Sequence, residues 1–223
     1  MRKKAVILLS GGLDSAVTLY YASRRGYTCY CLAFDYGQRH SVEMSYARKI
    51  ARRAGAPFTV VKVQLPWRGS SLLDRNEELP VNRTPARIKK SGIPSTYVPA
   101  RNTIFLSIAA SYAEAIGADA VFIGAHADDS SGYPDCREGY LKAFDKVVRL
   151  GTKRGLEKKL SLEFPLVGRD KRGIIKLGVS LGVPFGHTWS CYRGGAIPCG
   201  GCDSCVLRAK GFREAGIKDP LYE

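Results

Sequence analysis

The stretch AVILLSGGLDSAV, residues 5–17, decides the architecture. Ala5 to Leu9 form a short apolar run that reads as a buried strand. After the turn Ser10-Gly11-Gly12, residues Ala16, Leu19, Tyr20 and Ala22 recur at helical spacing until Gly26 stops them. Two glycines at a strand-to-helix junction let the backbone approach a ligand closely, because no Cβ stands in the way. Their outward amides and the positive end of the next helix dipole suit an anion. The plainer alternative is a tight turn with no ligand.

The same alternation continues outward. TCYCLAFDYG (28–37) reads as a second strand buried on both faces, SVEMSYARKIARRAG (41–55) as a helix capped by Ser41, and PFTVVKVQL (57–65) as a third strand. NTIFLSIAASYAEAIG (102–117) reads as an amphipathic helix, and ADAVFIGAHADD (118–129) as a strand running into a polar loop. REGYLKAFDKVVRLG (137–151) is a helix with Tyr140, Phe144, Val147 and Val148 inward; LSLEFPL (160–166) is a strand, and RDKRGIIKLGVSLG (169–182) a helix carrying costly glycines. Repeated strand–helix–strand units imply an α/β fold, a parallel twisted sheet with helices on both faces and its site at the strands' carboxyl ends. Residues 64–98, rich in proline, serine and charge, make a connection long enough to expect a functional segment at the site's mouth. Residues 1–185 form the expected nucleotide-binding α/β domain and 186–223 a C-terminal extension packed on it.

Thirty-five basic against 20 acidic residues give a net charge of +15 in 223 residues. The basic residues are scattered, as on a solvated face, and no aromatic-interleaved RNA motif accompanies them. Nucleic-acid binding is therefore not the expectation, although the charge would favour any polyanion. No apolar run approaches the roughly 20 residues of a membrane span, and the run after Arg2-Lys3-Lys4 is too short for a secretory signal. A cytoplasmic protein is expected, and seven cysteines with four clustered agree with a reducing compartment.

No G-x-x-x-x-G-K-[ST] loop occurs. S-G-G-x-D-S instead resembles the pyrophosphate loop of ATP pyrophosphatases, with an adenine nucleotide α-hydrolase-like, Rossmann-like fold. The resemblance implies that ATP lies along Leu9, Ser10, Gly11, Gly12, Leu13, Asp14 and Ser15. Ser10, Gly11, Gly12 and Ser15 would hold phosphate oxygens and Asp14 would position Mg²⁺.

GAHADDSSGYPDCR (124–137) gathers titratable groups at the end of the fourth strand. Asp128 and Asp129 offer metal ligands, His126 a phosphate contact or proton transfer, and Arg137 an anion clamp. FDYGQRH (34–40) sends Gln38, Arg39 and His40 towards the same edge. Arg101 and Asn102 start a helix where a phosphate could sit, or Asn102 serves only as a cap. Lys171, also at a helix start, is a candidate to neutralise departing pyrophosphate or a solvated lysine.

Cys191, Cys199, Cys202 and Cys205 are spaced C-x₇-C-x₂-C-x₂-C. Four thiolates suit structural Zn²⁺, and a ferredoxin-type run would need cysteine where Ala209 stands. Cys29 and Cys31 share one face of a buried strand and read as core; Cys136 is open to a nucleophilic, packing or substrate-contact role. His187 and Trp189 read as packing residues.

Taken in order, SGGLDS, FDYGQRH, YVPARNTIFLS, GAHADDSSGYPDCR and the four-cysteine tail resemble the 7-cyano-7-deazaguanine synthase family. That resemblance implies ATP-dependent conversion of 7-carboxy-7-deazaguanine and ammonia to the nitrile, through an adenylated carboxylate, an amide and a second activation. It implies a homodimer, and catalytic roles among Asp14, Arg101, His126, Asp128 and Lys171. It further places Gln38, Arg39, His40, Tyr133, Asp135 and Arg137 near the deazaguanine, with Asp135 accepting from a guanine-like N–H edge. Two other readings stay open: a tRNA-modifying enzyme of the same superfamily that adenylates a base, and a zinc-stapled module that senses nucleotide without chemistry.

Overall fold

Strand β1 (Lys4–Leu8) is buried along most of its length, and its alternation sorts the core into two layers: Ala5 and Ile7 face one side and Val6 the other. The computed structural model describes residues 2–39, 42–67, 69–130 and 132–222. After β1 come α1 (Leu13–Arg24), β2 (Thr28–Asp35), α2 (Val42–Arg53), β3 (Phe58–Lys62), α3 (Pro85–Lys90), α4 (Arg101–Ala115) and β4 (Ala120–Phe122). Then follow α5 (Ala127–Ser130), α6 (Glu138–Gly151), α7 (Lys153–Leu156), β5 (Ser161–Glu163), α8 (Lys171–Ser180) and α9 (Asp203–Ala215). Ser41, expected to cap α2, lies outside the described residues.

All five strands are parallel, in the order β3-β2-β1-β4-β5. The chain leaves β1 towards β2 and β3 and later adds β4 and β5 on β1's other side. The loops after β1 and β4 consequently part in opposite directions and open a crevice at the carboxyl edge. Ala5, Ile7, Cys29, Cys31, Ala120 and Phe122 pack on α1, α2, α8 and α9; Val6, Leu32, Phe34, Val121 and Leu162 pack on α4 and α6. Each fully buried leucine, isoleucine or phenylalanine contributes about 1.5–3 kcal/mol from burial. Helices thus cover both faces, and Cys29 and Cys31 are core residues.

Three local expectations change. Helix α4 is not one-sided: Phe105, Leu106, Ala109, Ala110 and Ala113 are buried, and Ile104, Ile108 and Tyr112 also pack on the core. The helix lies between the sheet, the 64–98 connection and the 133–140 segment, so little of its circumference faces water. Val147 is 59% exposed, and Leu141 joins Phe144 and Val148 as the inward stripe of α6. Those three follow the helical i, i+3, i+7 spacing, which leaves Val147 at the outer margin. The costly Gly178 has a packing cause, since a Cβ there would lie 2.3 Å from the Phe185 ring.

The 64–98 connection is packed. Leu72, Leu79 and Val98 enter the core, Thr84 caps α3, and Asn82 N–H donates to Gly201 O at 2.8 Å. The C-terminal segment is tied together internally by Arg208, 2% exposed. Its guanidinium donates to both Asp219 carboxylate oxygens at 2.6 and 2.8 Å and to Thr188 Oγ1 at 2.7 Å.

Candidate active site

The loop after β1 organises itself. Ser15 Oγ donates to Gly12 O at 3.0 Å and accepts from Ser10 N–H at 3.2 Å, so the loop folds back on the first turn of α1. Gly12 offers no capping side chain to the first-turn N–H groups of α1, whose residues Leu13, Asp14 and Ser15 line the crevice. Gly11 has φ +86°, and a Cβ there would meet Glu43 O at 2.3 Å and Ala47 N at 2.8 Å. Gly11→Ala combines a left-handed cost of roughly 1–2 kcal/mol with a backbone overlap. A fall in Tm of roughly 5–10 °C is expected for a chain of this size, with weaker ATP binding by calorimetry; an unchanged Tm would refute the close approach.

Behind this loop three distant residues converge. Lys171 Nζ, at the start of α8, donates to Asp14 Oδ1 at 2.7 Å and Oδ2 at 2.9 Å, and to His126 Nε2 at 2.9 Å. An ammonium only donates, so Nε2 accepts and the neutral ring carries its proton on Nδ1. Burial opposes ionisation of Asp14, but the Lys171 ammonium outweighs it and holds the carboxyl well below the usual carboxylate range. Asp128 accepts the Lys171 backbone N–H at 3.2 Å, fixing the start of α8 beside α5.

A cavity of about 270 Å³ lies in front. Leu9, Ser10, Gly12, Leu13, Asp14 and Ser15 line it, with Gln38, Arg39, Glu43, Leu72, Thr96, Arg101 and Tyr133 around the rest of its wall. Trp189, Ser190, Tyr192 and Ser204 close it from the C-terminal segment. The side against the 64–98 connection is aromatic. Phe34 and Phe105 stack with centroids 3.9 Å apart, Tyr36 meets Phe105 edge-on at 5.3 Å, and the Arg101 guanidinium sits 5.8 Å from the Tyr36 centroid. Flat apolar walls with a few polar groups suit a planar heterocycle.

The other candidates fall in several places. Arg39 lines the cavity, yet its Nη2 is tied to the carbonyls of Asp74, Arg75 and Glu77 at 3.2, 2.7 and 2.7 Å. Gln38 accepts from Tyr36 N–H at 2.9 Å, and Tyr133 Oη lies 2.7 Å from Thr96 Oγ1. Asp135 is buried beside the cavity and accepts Asn102 N–H at 2.9 Å, which caps α4. Cys136, in the cavity wall, accepts from Asn102 Nδ2 at 3.1 Å. Arg137 is exposed and does not line the cavity, and His40 lies outside the described residues. Sequence reasoning missed Glu43, Phe34, Tyr36, Phe105, Thr96 and Ser204. Phe34 and Tyr36 stand inside FDYGQRH and Phe105 inside RNTIF, but only the approach of α4 to the end of β2 makes them one wall.

The ligating atoms of Cys191, Cys199, Cys202 and Cys205 lie within 4.8 Å of one another. Tetrahedral thiolates about 2.3 Å from a metal would sit roughly 3.8 Å apart, so the set fits with a small contraction. Backbone N–H groups of Cys199 and Cys202 donate to Cys191 and Cys199 sulfurs at 3.3 Å, which favours thiolates. No disulfide joins any described cysteine. Trp189 N–H donates to Gly11 O at 2.9 Å and its indole to Cys191 O at 2.9 Å, so the cluster abuts the phosphate loop. No described helix is long and apolar enough to cross a membrane.

A family model for queuosine biosynthesis protein QueC matches residues 4–216. A 7-cyano-7-deazaguanine synthase of Thermoplasma acidophilum is 54% identical over 223 residues, covering 100% of this chain and 93% of the relative. One of Trichormus variabilis is 52% identical, covering 98% and 97%. Among solved structures, NMN synthetase from Francisella tularensis aligns at 17% identity and TM-score 0.49 over 97% of this chain and 73% of that one.

Proposed function

Because this chain belongs to the family described as queuosine biosynthesis protein QueC, we propose that its crevice is the active site of an ATP-dependent synthase. The reaction converts 7-carboxy-7-deazaguanine and ammonia into 7-cyano-7-deazaguanine. The observation that carries the reading is identity above 50% over the full chain with relatives of that one name. The geometry accounts for the chemistry such a synthase needs. Oxide and hydroxide are poor leaving groups, so carboxylate and amide oxygens must each be joined to AMP before they depart.

The first-turn amides of α1, Leu13 to Ser15, would receive the nucleotide's phosphates, and the aromatic wall of Phe34, Tyr36 and Phe105 the deazaguanine ring. Substrate carboxylate would attack the α-phosphorus, with pyrophosphate leaving beside Lys171, whose ammonium is held ready by Asp14 and His126. Ammonia then attacks the acyl carbon and AMP departs, giving the amide. Activation of the amide oxygen by another ATP, loss of AMP and removal of the remaining N–H protons give the nitrile. Arg101 balances charge at the cavity's other end. Asp14 and Asp128 supply hard carboxylate oxygens that suit Mg²⁺ alongside phosphate. We read the four-cysteine site as structural Zn²⁺, since all four ligand positions are filled by protein. Residues 1–185 act in this reading as the nucleotide-binding unit and 186–223 as its metal-braced extension, in a cytoplasmic homodimer.

The test is mass spectrometry of the protein incubated with ATP, Mg²⁺, ammonium and 7-carboxy-7-deazaguanine. Amide and then nitrile, with AMP and pyrophosphate, are expected. Folded, zinc-loaded protein that forms neither would overturn the reading, and salt-sensitive, tRNA-stimulated AMP formation would replace it with base adenylation.

A further inference from the structure

Among the described residues, four charged ones line the nucleotide cavity: Asp14, Arg39, Glu43 and Arg101. Asp14 is paired with Lys171, Arg39 is held by three carbonyls, and Arg101 donates to Tyr36 Oη at 3.3 Å. Among the described residues, no hydrogen bond or ion pair engages the Glu43 carboxylate. Its position is nevertheless set tightly. Glu43 stands in the first turn of α2, and its carbonyl closes on Gly11 with no room for even a methyl group between them. The carboxylate is therefore carried by backbone that rests directly on the phosphate loop.

An unengaged carboxylate is electrostatically unfavourable in a cavity that must accept a polyphosphate and a second carboxylate. It becomes favourable once it meets a cation or a proton. In the reaction assigned above, on which this inference rests, ammonium is the cationic substrate. Ammonium has no lone pair with which to attack carbon, so something in the site must take its proton.

We propose that Glu43 captures ammonium in the cavity wall and accepts its proton, delivering ammonia to the activated carbonyl. The ion pair of Glu43 carboxylate and NH₄⁺ becomes a carboxylic acid and NH₃. The nitrogen lone pair forms the C–N bond, the acyl C–O bond breaks, AMP leaves with that electron pair, and the second proton shed by the new nitrogen passes to the departing phosphate. In the second half-reaction the same carboxylate, its proton returned to solvent, takes one N–H proton from the activated amide while the other passes to the departing AMP phosphate, the C–O bond breaks and the C≡N bond forms. Burial pushes the Glu43 carboxyl up to about 7; Arg101 from α4 opposes the rise and Cys191 from the C-terminal segment adds to it. Tyr36, after β2, also faces it. A carboxyl titrating there is matched to proton transfer near neutral pH.

The test compares amines, following AMP and acyl product near neutral pH for the parent, Glu43→Gln and Glu43→Asp. Hydroxylamine is already neutral there and attacks without a base, yielding the hydroxamate. E43Q is expected to lose about 100-fold with ammonium and less than about threefold with hydroxylamine, with E43D partly restoring the ammonium rate. Retained hydroxylamine turnover also shows that the variant is folded. Equal losses with both amines, or no loss with ammonium, would overturn the role of Glu43 alone. Recovery of E43Q with ammonium on raising Mg²⁺ would overturn it as well, making the carboxylate a metal ligand. A parent enzyme that forms no AMP with either amine would overturn the synthase reading, and this role with it.

Discussion

Lys171→Met is expected to lower the rate of AMP formation by about 10²–10³-fold, the loss typical of removing one preorganised charge from a site where charge develops. Methionine keeps the stem that fills the space over Gly211, where a Cβ would lie 2.4 Å from Lys171 Cγ, so α8 and α9 stay packed. The ammonium that bridges Asp14 and His126 is lost. Because the folded-state pKa of Asp14 is depressed, its stabilising contribution is complete above the unfolded value, about 3.9, and disappears as pH falls through the folded one. The stability difference between parent and variant should accordingly be largest near neutrality and shrink in acid, followed by Tm across that range. Full AMP formation by K171M would remove Lys171 from the catalytic set.

Removing the metal by chelation, or Cys191→Ser, is expected to affect both folding and nucleotide binding. Structural zinc sites contribute an apparent 10–16 kcal/mol to small domains, and four connections carry this one's effect outward. Val81 pairs with Cys202, Asn82 with Gly201, and the Arg83 guanidinium with Asp203, which pins the 64–98 connection against the cluster. Trp189 joins Cys191 to Gly11 and closes the cavity with Ser190, Tyr192 and Ser204. Stripping the metal should therefore lower Tm by more than about 10 °C at 2–4 °C per kcal/mol and weaken ATP binding by at least about tenfold. By linkage, ATP should raise the affinity for metal by the same factor. Calorimetry of ATP binding beside metal analysis checks this; undiminished ATP affinity in metal-free, folded protein would show that the cluster braces only its own loop.

These consequences divide between what was legible along the chain and what was not. The strand, the glycine turn, the phosphate loop and the four cysteines are local: a few contiguous residues specify their backbone, and the ligand chemistry follows from spacing. The parallel order of elements was legible too, because buried strands and short connections leave few topologies. Lys171 was legible only as a candidate, since a lysine at a helix start is ambiguous until the chain, 157 residues after Asp14, brings α8 beside α1. Arg39 could not be known to serve the carbonyls of residues 74–77 in place of a ligand, nor Asp135 to cap α4 beside the cavity.

The sequence by itself thus determined the α/β class, the glycine turn after β1, the four-cysteine tail and the family. Tertiary structure alone decided which side chains share the crevice and which are spent on holding it. Glu43 depends on that decision most: on paper it is one acidic residue on a helix rich in arginine, and only the fit of α2 against Gly11 sets its carboxylate in the cavity wall. The physical reason is range. Backbone conformation and metal spacing are written over a few residues, whereas partner choice and desolvation are set by whichever distant elements the sheet order presses together.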